Sequence, residues 1–192
     1  MARPKQFDPE IAVDQAMEVF WRKGYAATTP QDLTDALGIG KGSLYNAFGS
    51  KHALFEKALH RYRDSQALAL VELVGESGPV KVRLRKVLRL LAETDLADPD
   101  RRGCMAVNAA AERAGVDEVA TELVRRMFDR TEDAFRALVE EGQRAGEIAP
   151  GRDPAALGSL LLNTVVGLRI LARVAEGPER LTRVIDATID SL

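Results

Sequence analysis

Residues 28–51 read TTPQDLTDALGIGKGSLYNAFGSK, and the rest of the chain is organised around them. Thr29 is placed to cap a helix, with Pro30 at the first helical position, where a missing N–H costs nothing. Asp32, three residues after the cap, suits the positive end of the helix dipole and imitates a capping box. Leu33 and Leu37 sit one turn apart and face inward, and Gly38 ends the helix at a turn that needs positive φ. Ile39 fits as the apolar plug of that turn, and Gly40 opens a second helix. There Leu44 and Phe48 share one face by their i, i+4 spacing. Lys41, Gly42, Tyr45 and Asn46 are left pointing outward, with Ser43 in the first turn. Gly49 stops this helix, and Ser50 caps the next, with Lys51 at its start. Two short helices joined by a glycine turn, the second with a small, hydrogen-bonding outer face, form the arrangement that enters a DNA major groove.

The run GIGKGSLYNAFGSKHALF, residues 38–55, resembles the DNA-binding signature of the TetR family of bacterial transcriptional regulators. Upstream, the spacing of Ala16, Phe20, Gly24, Tyr25 and Thr28 is similar to the same family. The specific likeness covers residues 8 to about 60, and the remainder is similar in length and helical layout only. The resemblance implies an all-α fold, with a three-helix DNA-binding domain over residues 1–50 and a ligand-binding and dimerisation domain over 51–192. It implies a homodimer on an inverted-repeat, double-stranded operator, acting as a repressor that an unidentified small-molecule ligand releases. It implies no enzyme activity, cofactor, metal or membrane partner. Carried onto this sequence, Thr28, Thr29, Tyr45 and Lys51 are the phosphate contacts, and Lys41, Gly42, Ser43 and Asn46 face the groove. Arg3, with Lys5, lies on a short arm, which is either a solubilising terminus or a contact to phosphates or the minor groove. Gly40 stands where the family often has serine, and Asn46 where it often has histidine or an aromatic residue, so the operator sequence is left open.

Net charge is −2, an unexpected sign for a DNA-binding chain, so its distribution matters more than its sum. Residues 1–63 hold nine Lys/Arg against seven Asp/Glu, and the remainder holds 18 against 22, so the basic surplus travels with the motif. A surplus this small predicts weak non-specific binding and a moderate salt slope. One cysteine in 192 residues excludes an internal disulfide framework and fits a reducing cytoplasm. No N-terminal stretch has the basic and then apolar layout of a signal peptide.

Asp8 and Pro9 start a first helix with Ala12, Ala16, Val19 and Phe20 as its apolar stripe, ended by Gly24. A long helix from Ser50 to about Val74 carries Phe55 early and Leu68 and Val71 late, and so belongs to both halves of the chain. Further helices are predicted over Val80 to about Leu96, Cys104 to Ala114, Asp117 to about Ala145, Asp153 to about Ala175, and Pro178 to Leu192. The helix after Asp153 is apolar around nearly its whole circumference yet broken by Asn163 and Arg169, so it reads as buried on two sides and not as a membrane span. One face would meet its own body and the other a second copy, through a four-helix bundle that uses Leu161, Val165, Leu168, Leu181, Val184 and Ile185.

No enzyme constellation survives inspection. GIGKGS lacks the four-residue gap of a phosphate loop and the third glycine of a dinucleotide fingerprint, and no strand precedes it. His52 and His60 flank Glu56 on one helix face, too few ligands for a metal. For the ligand pocket implied by the resemblance, the candidate lining is Cys104, Met105, Asn108, Met127, Phe128 and Phe135, with core packing the competing role of each. Asn108 needs a partner in an alanine-rich helix, which is either a ligand or a neighbouring carbonyl or water. Cys104 follows Arg101 and Arg102 and sits at a helix start, where cations and the dipole favour a thiolate. A covalent sensor and a small buried residue are both open for it, and control by a protein partner is a further alternative.

Overall fold

A computed structural model describes residues 7–192, and every side chain among them except those of residues 66–74. The arm with Arg3 and Lys5, and the side chains of Leu68 and Val71, lie outside the described residues. The elements are α1 (Pro9–Lys23), α2 (Pro30–Leu37), α3 (Lys41–Phe48), α4 (Lys51–Val74), α5 (Val80–Ala97), α6 (Met105–Arg113), α7 (Glu118–Arg144), α8 (Pro154–Leu171) and α9 (Glu179–Asp190). No strand occurs among the described residues.

Local chemistry accounts for most of these boundaries. Asp8, Asp117 and Asp153 each cap a helix, accepting from Glu10 N at 2.8 Å, Ala120 N at 3.0 Å and Ala155 N at 3.0 Å. Each cap satisfies a donor that the helix itself leaves free. α8 ends earlier than the sequence predicts, because Arg173 N and Val174 N bond to Ile170 O and Leu171 O in tight i→i−3 turns.

Apolar side chains collect in two cores. One joins α1, α2, α3 and the first half of α4 to α6 and the start of α7, through Phe20, Leu33, Leu44, Phe55, Tyr62, Met105 and Leu123. The other joins α5, α8, α9 and the later part of α7, through Leu84, Leu88, Phe135, Leu138, Leu161 and Ile185. α7 therefore pins one core to the other. α8 packs closely on α7 at Gly158, where an added Cβ would sit 3.2 Å from Glu132 O and 3.3 Å from Arg136 N. Truncating a buried aromatic such as Phe20 or Phe135 costs about 3–5 kcal/mol in cores of this kind.

α8 is long and apolar enough to cross a membrane by length and composition alone. In the fold it lies against α7, α5 and α9 and carries the buried Arg169. The two-sided expectation for this helix needs correction in its residues. Leu161, Leu168, Leu181 and Ile185 are buried in the chain's own core, while Val165 and Val184 are half-buried against it. The outer surface of α8 and the turn that follows it instead presents Leu160, Thr164, Gly167, Ile170 and Val174, the last 77% exposed.

Candidate nucleic-acid interface

The α2–turn–α3 unit is built by its caps. Thr29 Oγ1 accepts from Asp32 N at 3.1 Å, and Asp32 Oδ2 accepts from Thr29 N at 2.8 Å, so the predicted capping box is complete. Lys23 donates to the same carboxylate at 2.6 Å. These bonds, from Lys23 first and then Thr29, hold the Asp32 carboxyl down to about 2. Gly38 has φ 62° and ψ 29°, the left-handed conformation that ends α2 and that a side chain rarely adopts. Leu33, Leu37, Leu44 and Phe48 turn into the first core, and Phe7 meets Phe48 at 6.2 Å between ring centroids.

That packing fixes which face of α3 is free. Lys41, Gly42, Ser43 and Asn46 are exposed, and Tyr45 is half-buried at their edge. A Cβ added at Gly40 or Gly42 would meet nothing within 4 Å, so the backbone there can approach a flat partner. Gly40 offers no side-chain cap, which leaves the first N–H groups of α3 for an anion. Thr29 is exposed beside them, at the start of α2.

Two of the expected phosphate contacts have other work. Thr28 is buried and donates its hydroxyl to Gly24 O at 2.6 Å, locking the loop between α1 and α2. Lys51 turns its ammonium inward, donating to Tyr25 O at 2.8 Å and Thr28 O at 2.7 Å, with the charge 4.2 Å from the Tyr25 ring centroid. Burial pulls the Lys51 pKa down, with Glu112 opposing. Both residues hold the reading unit together through these internal bonds.

The sequence gives no sign of the strongest brace on that loop. Glu112, at the end of α6, accepts from Tyr25 N at 2.8 Å and Ala26 N at 2.6 Å, while Arg113 lies 4.4 Å over the Tyr25 ring. At Gly24, with φ 78°, a Cβ would stand 3.0 Å from the Glu112 carboxylate. A second contact joins the halves at α1. Trp21 Nε1 donates to Gly103 O at 2.8 Å, and Arg102 stacks over the indole while pairing with Asp98 and Glu18. His52, expected as an exposed helix residue, faces two carboxylates, Asp117 at 2.8 Å and Glu56 at 3.2 Å. Apart from the i, i+4 pairs His52–Glu56 and Asp98–Arg102, these contacts join residues 65 to 88 positions apart, so no local pattern signals them.

Of the expected pocket lining, Cys104, Met105, Met127 and Phe128 pack in or against the first core, while Phe135 lies in the second. Asn108 is satisfied by the protein, donating to Arg102 O at 2.9 Å and accepting from Arg173 at 3.0 Å. Cys104 caps α6 instead of lying in its first turn, and its sulfur accepts from Tyr62 Oη at 3.4 Å. Arg101 and Arg102 are engaged elsewhere, Arg101 with Ala172 O at 2.9 Å and Arg102 with Asp98 at 2.8 Å. A surface cavity of about 360 Å³ is lined by Asp129, Glu132, Asp133, Arg136 and Ala155, none of them in the expected set.

Residues 12–58 match the family described as bacterial regulatory proteins, tetR family, and residues 80–188 match the tetracyclin repressor-like C-terminal domain. The chain belongs to the TetR family. It is 31% identical to the uncharacterized HTH-type transcriptional regulator YezE of Bacillus subtilis (strain 168), over 100% of both chains. It is also 31% identical to the HTH-type transcriptional repressor ComR of Escherichia coli (strain K12), over 97% of this chain and 90% of that one. Among solved structures it is similar to the TetR family regulator CifR, a cysteine mutant bound to a 26-bp operator duplex. The TM-score is 0.86 at 28% identity, over 98% of this chain and 99% of that one. As a member of this family the chain is an all-α, DNA-binding transcriptional regulator and not an enzyme.

Proposed function

We propose that the chain is a homodimeric repressor that reads an inverted-repeat operator and leaves it when a small molecule binds the C-terminal body. In this reading residues 1–50 read DNA, and residues 51–192 dimerise and respond to ligand in the cytoplasm. The observation that carries it is the free face of α3. The side chains of Lys41, Ser43 and Asn46 make no hydrogen bond within the described residues, while Leu44 and Phe48 anchor the same helix from behind. Asn46 has the bidentate amide that suits adenine, Gly42 permits close approach, and Lys41, Thr29, Tyr45 and the α3 N–H groups suit phosphates. The repressor named ComR supports the sign of regulation.

The dimer is supported by the outer surface of α8, where Leu160, Ile170 and Val174 are exposed and a Cβ at Gly167 would meet nothing within 4 Å. An apolar stripe with a glycine at its centre suits close packing of a second helix of the same kind. Fluorescence anisotropy with a selected duplex tests the reading. Lys41→Ala and Asn46→Ala should each weaken binding without altering the fold, and full retention of affinity by both variants would refute it.

A second reading, control through oxidation or alkylation of Cys104, draws on the partly exposed position of this residue, whose sulfur accepts the Tyr62 hydroxyl. Under it, Cys104→Ser removes the response to quinones or peroxide; an intact response sinks it.

A further inference from the structure

Residues 98–104, DPDRRGC, join α5 to α6 in a loop folded back on itself. The Asp98 carboxylate accepts from Asp100 N at 3.1 Å, Arg102 N at 3.2 Å and Arg102 Nε at 2.8 Å, and Arg101 N donates to Asp98 O at 3.0 Å. Arg101 has φ 50° and is the one non-glycine residue in the left-handed region among the described residues. Gly103 follows at φ 64°. A left-handed residue with a side chain persists only where its surroundings hold it, and such positions cluster at functional sites. Here the surroundings are two helices, one on each side of the loop.

On one side lies the end of α8. Arg101 donates to Ala172 O at 2.9 Å, and Arg173 donates to Arg101 O at 3.2 Å. Arg173 also donates to Asn108 Oδ1 at 3.0 Å, and Asn108 donates in turn to Arg102 O at 2.9 Å. The approach is close: a Cβ at Gly103 would stand 3.0 Å from Arg169 O and 3.1 Å from Arg173 Cδ.

On the other side lies α1. Trp21 Nε1 donates to Gly103 O at 2.8 Å, and the Arg102 guanidinium stacks 4.3 Å from the Trp21 ring centroid while pairing with Glu18. Arg22 meets Asp100 at 3.3 Å. Four consecutive residues, 100 to 103, therefore grip α1 and α8 between them.

α8 is also the helix whose outer surface stands free, at Ile170 and in the turn beyond it at Val174, each next in sequence to an arginine that holds the loop. α1 packs on α2 and α4 and moves with the reading unit. We infer that residues 98–104 are a strut that fixes the reading unit against α8, and so against the second copy, with Arg102 and Arg173 as positioning residues that set the spacing of operator half-sites. The inference rests on the homodimeric reading above. α4 enters the reading unit as a single rod, about which that unit can turn; an attachment at α1 stops the turning. A duplex of the wrong spacing is then bound only when bonds of the strut yield, and their cost appears as discrimination against it.

One base pair inserted between half-sites moves them apart by about 3.4 Å and turns one by about 34–36°. The full chain is titrated with a selected duplex, the same duplex with one base pair inserted or removed, and a duplex with a single half-site. Wild type should prefer its selected spacing over both neighbours. Arg102→Ala should shrink that preference about tenfold, the worth of one hydrogen bond to a charged group. Arg173→Ala should shrink it about threefold, because Arg173 is exposed and water replaces part of what is lost. Arg102→Lys, which keeps a charge for Glu18, should fall between wild type and the alanine variant. Affinity for the single half-site should be unchanged in all three, and each should still sediment as a dimer.

An unchanged spacing preference in either alanine variant, or no preference in wild type, overturns the strut. So does a uniform loss across all duplexes, single half-site included, since that marks damage to the reading unit itself. Arg173 bonds to the loop and to α6, so its variant still decides the matter if Arg102→Ala fails to fold. Wild type that selects no duplex, or that sediments as a monomer, sinks the homodimeric reading and the strut with it; a dimer whose spacing preference survives both substitutions sinks the strut alone.

Discussion

Glu112→Ala tests how the C-terminal body holds the reading unit. The substitution removes both acceptors for Tyr25 N and Ala26 N, bonds of 2.8 and 2.6 Å to a carboxylate. Hydrogen bonds to charged groups contribute about 1.5–3 kcal/mol each when shielded. Ala26 is exposed and Tyr25 half-exposed, so water replaces part of what is lost, and the expected cost is about 2 kcal/mol in all. For a chain of this length that corresponds to a fall in Tm of roughly 4–8 °C. Glu112→Gln keeps one acceptor oxygen and should lose about half as much. Hydrogen exchange gives the local readout: the amides of Tyr25 and Ala26 should lose protection in the alanine variant well before those of the second core. Duplex affinity should fall with them, because the loop sets the entry of α2. Unchanged exchange at both amides together with an unchanged Tm would refute the claim that α6 braces the loop.

Other expectations concern the interface, the fold and the dimer. Tyr45→Ala should weaken binding to all duplexes alike, whereas Asn46→Ala should relax preference at particular base pairs by about 1–3 kcal/mol, as read from a selection repeated with each variant. The Asp32 carboxyl is held down to about 2 against an ordinary 3.8. Its contribution to stability is therefore full above about pH 4 and is lost as pH falls through about 2; acid titration of Asp32→Asn should lack this component. Gly167→Glu should leave the monomer fold intact and abolish the dimer in sedimentation, because nothing in the chain's own body meets that position. Leu161→Ala should do the opposite, costing about 2–5 kcal/mol of stability with the dimer face unchanged.

What the sequence made legible was local. The Asp8 cap, the Thr29–Asp32 box and the positive φ of Gly38 depend on residues within a few positions of one another, and each stands as its residue types require. The outward set on α3 followed from the spacing of Leu44 and Phe48 in the same way. Non-local chemistry was not legible. Thr28 and Lys51 have the hydroxyl and ammonium of phosphate contacts, yet both are drawn inward by backbone carbonyls that the α1–α2 loop leaves unpaired. Glu112 carries no mark that separates it from the chain's other acids until α6 is docked beside Tyr25. α8 misled in another respect. A helix apolar all round does not reveal which face its own body takes, and the spacing of Leu161, Val165 and Leu168 marked the inner one. The candidate pocket shows a related limit: side-chain type alone did not reveal that Phe135 lies in a different core from Met105, Met127 and Phe128.

The central claim is that two copies of this chain read one duplex through α3. A selection from random duplex DNA with purified protein at near-physiological salt tests it most directly. The account predicts enrichment of an inverted repeat whose half-sites lie about 34–36 Å apart along the helix axis, or a multiple of that distance. Absence of any enriched repeat, from protein unfolded and refolded free of ligand, would contradict it.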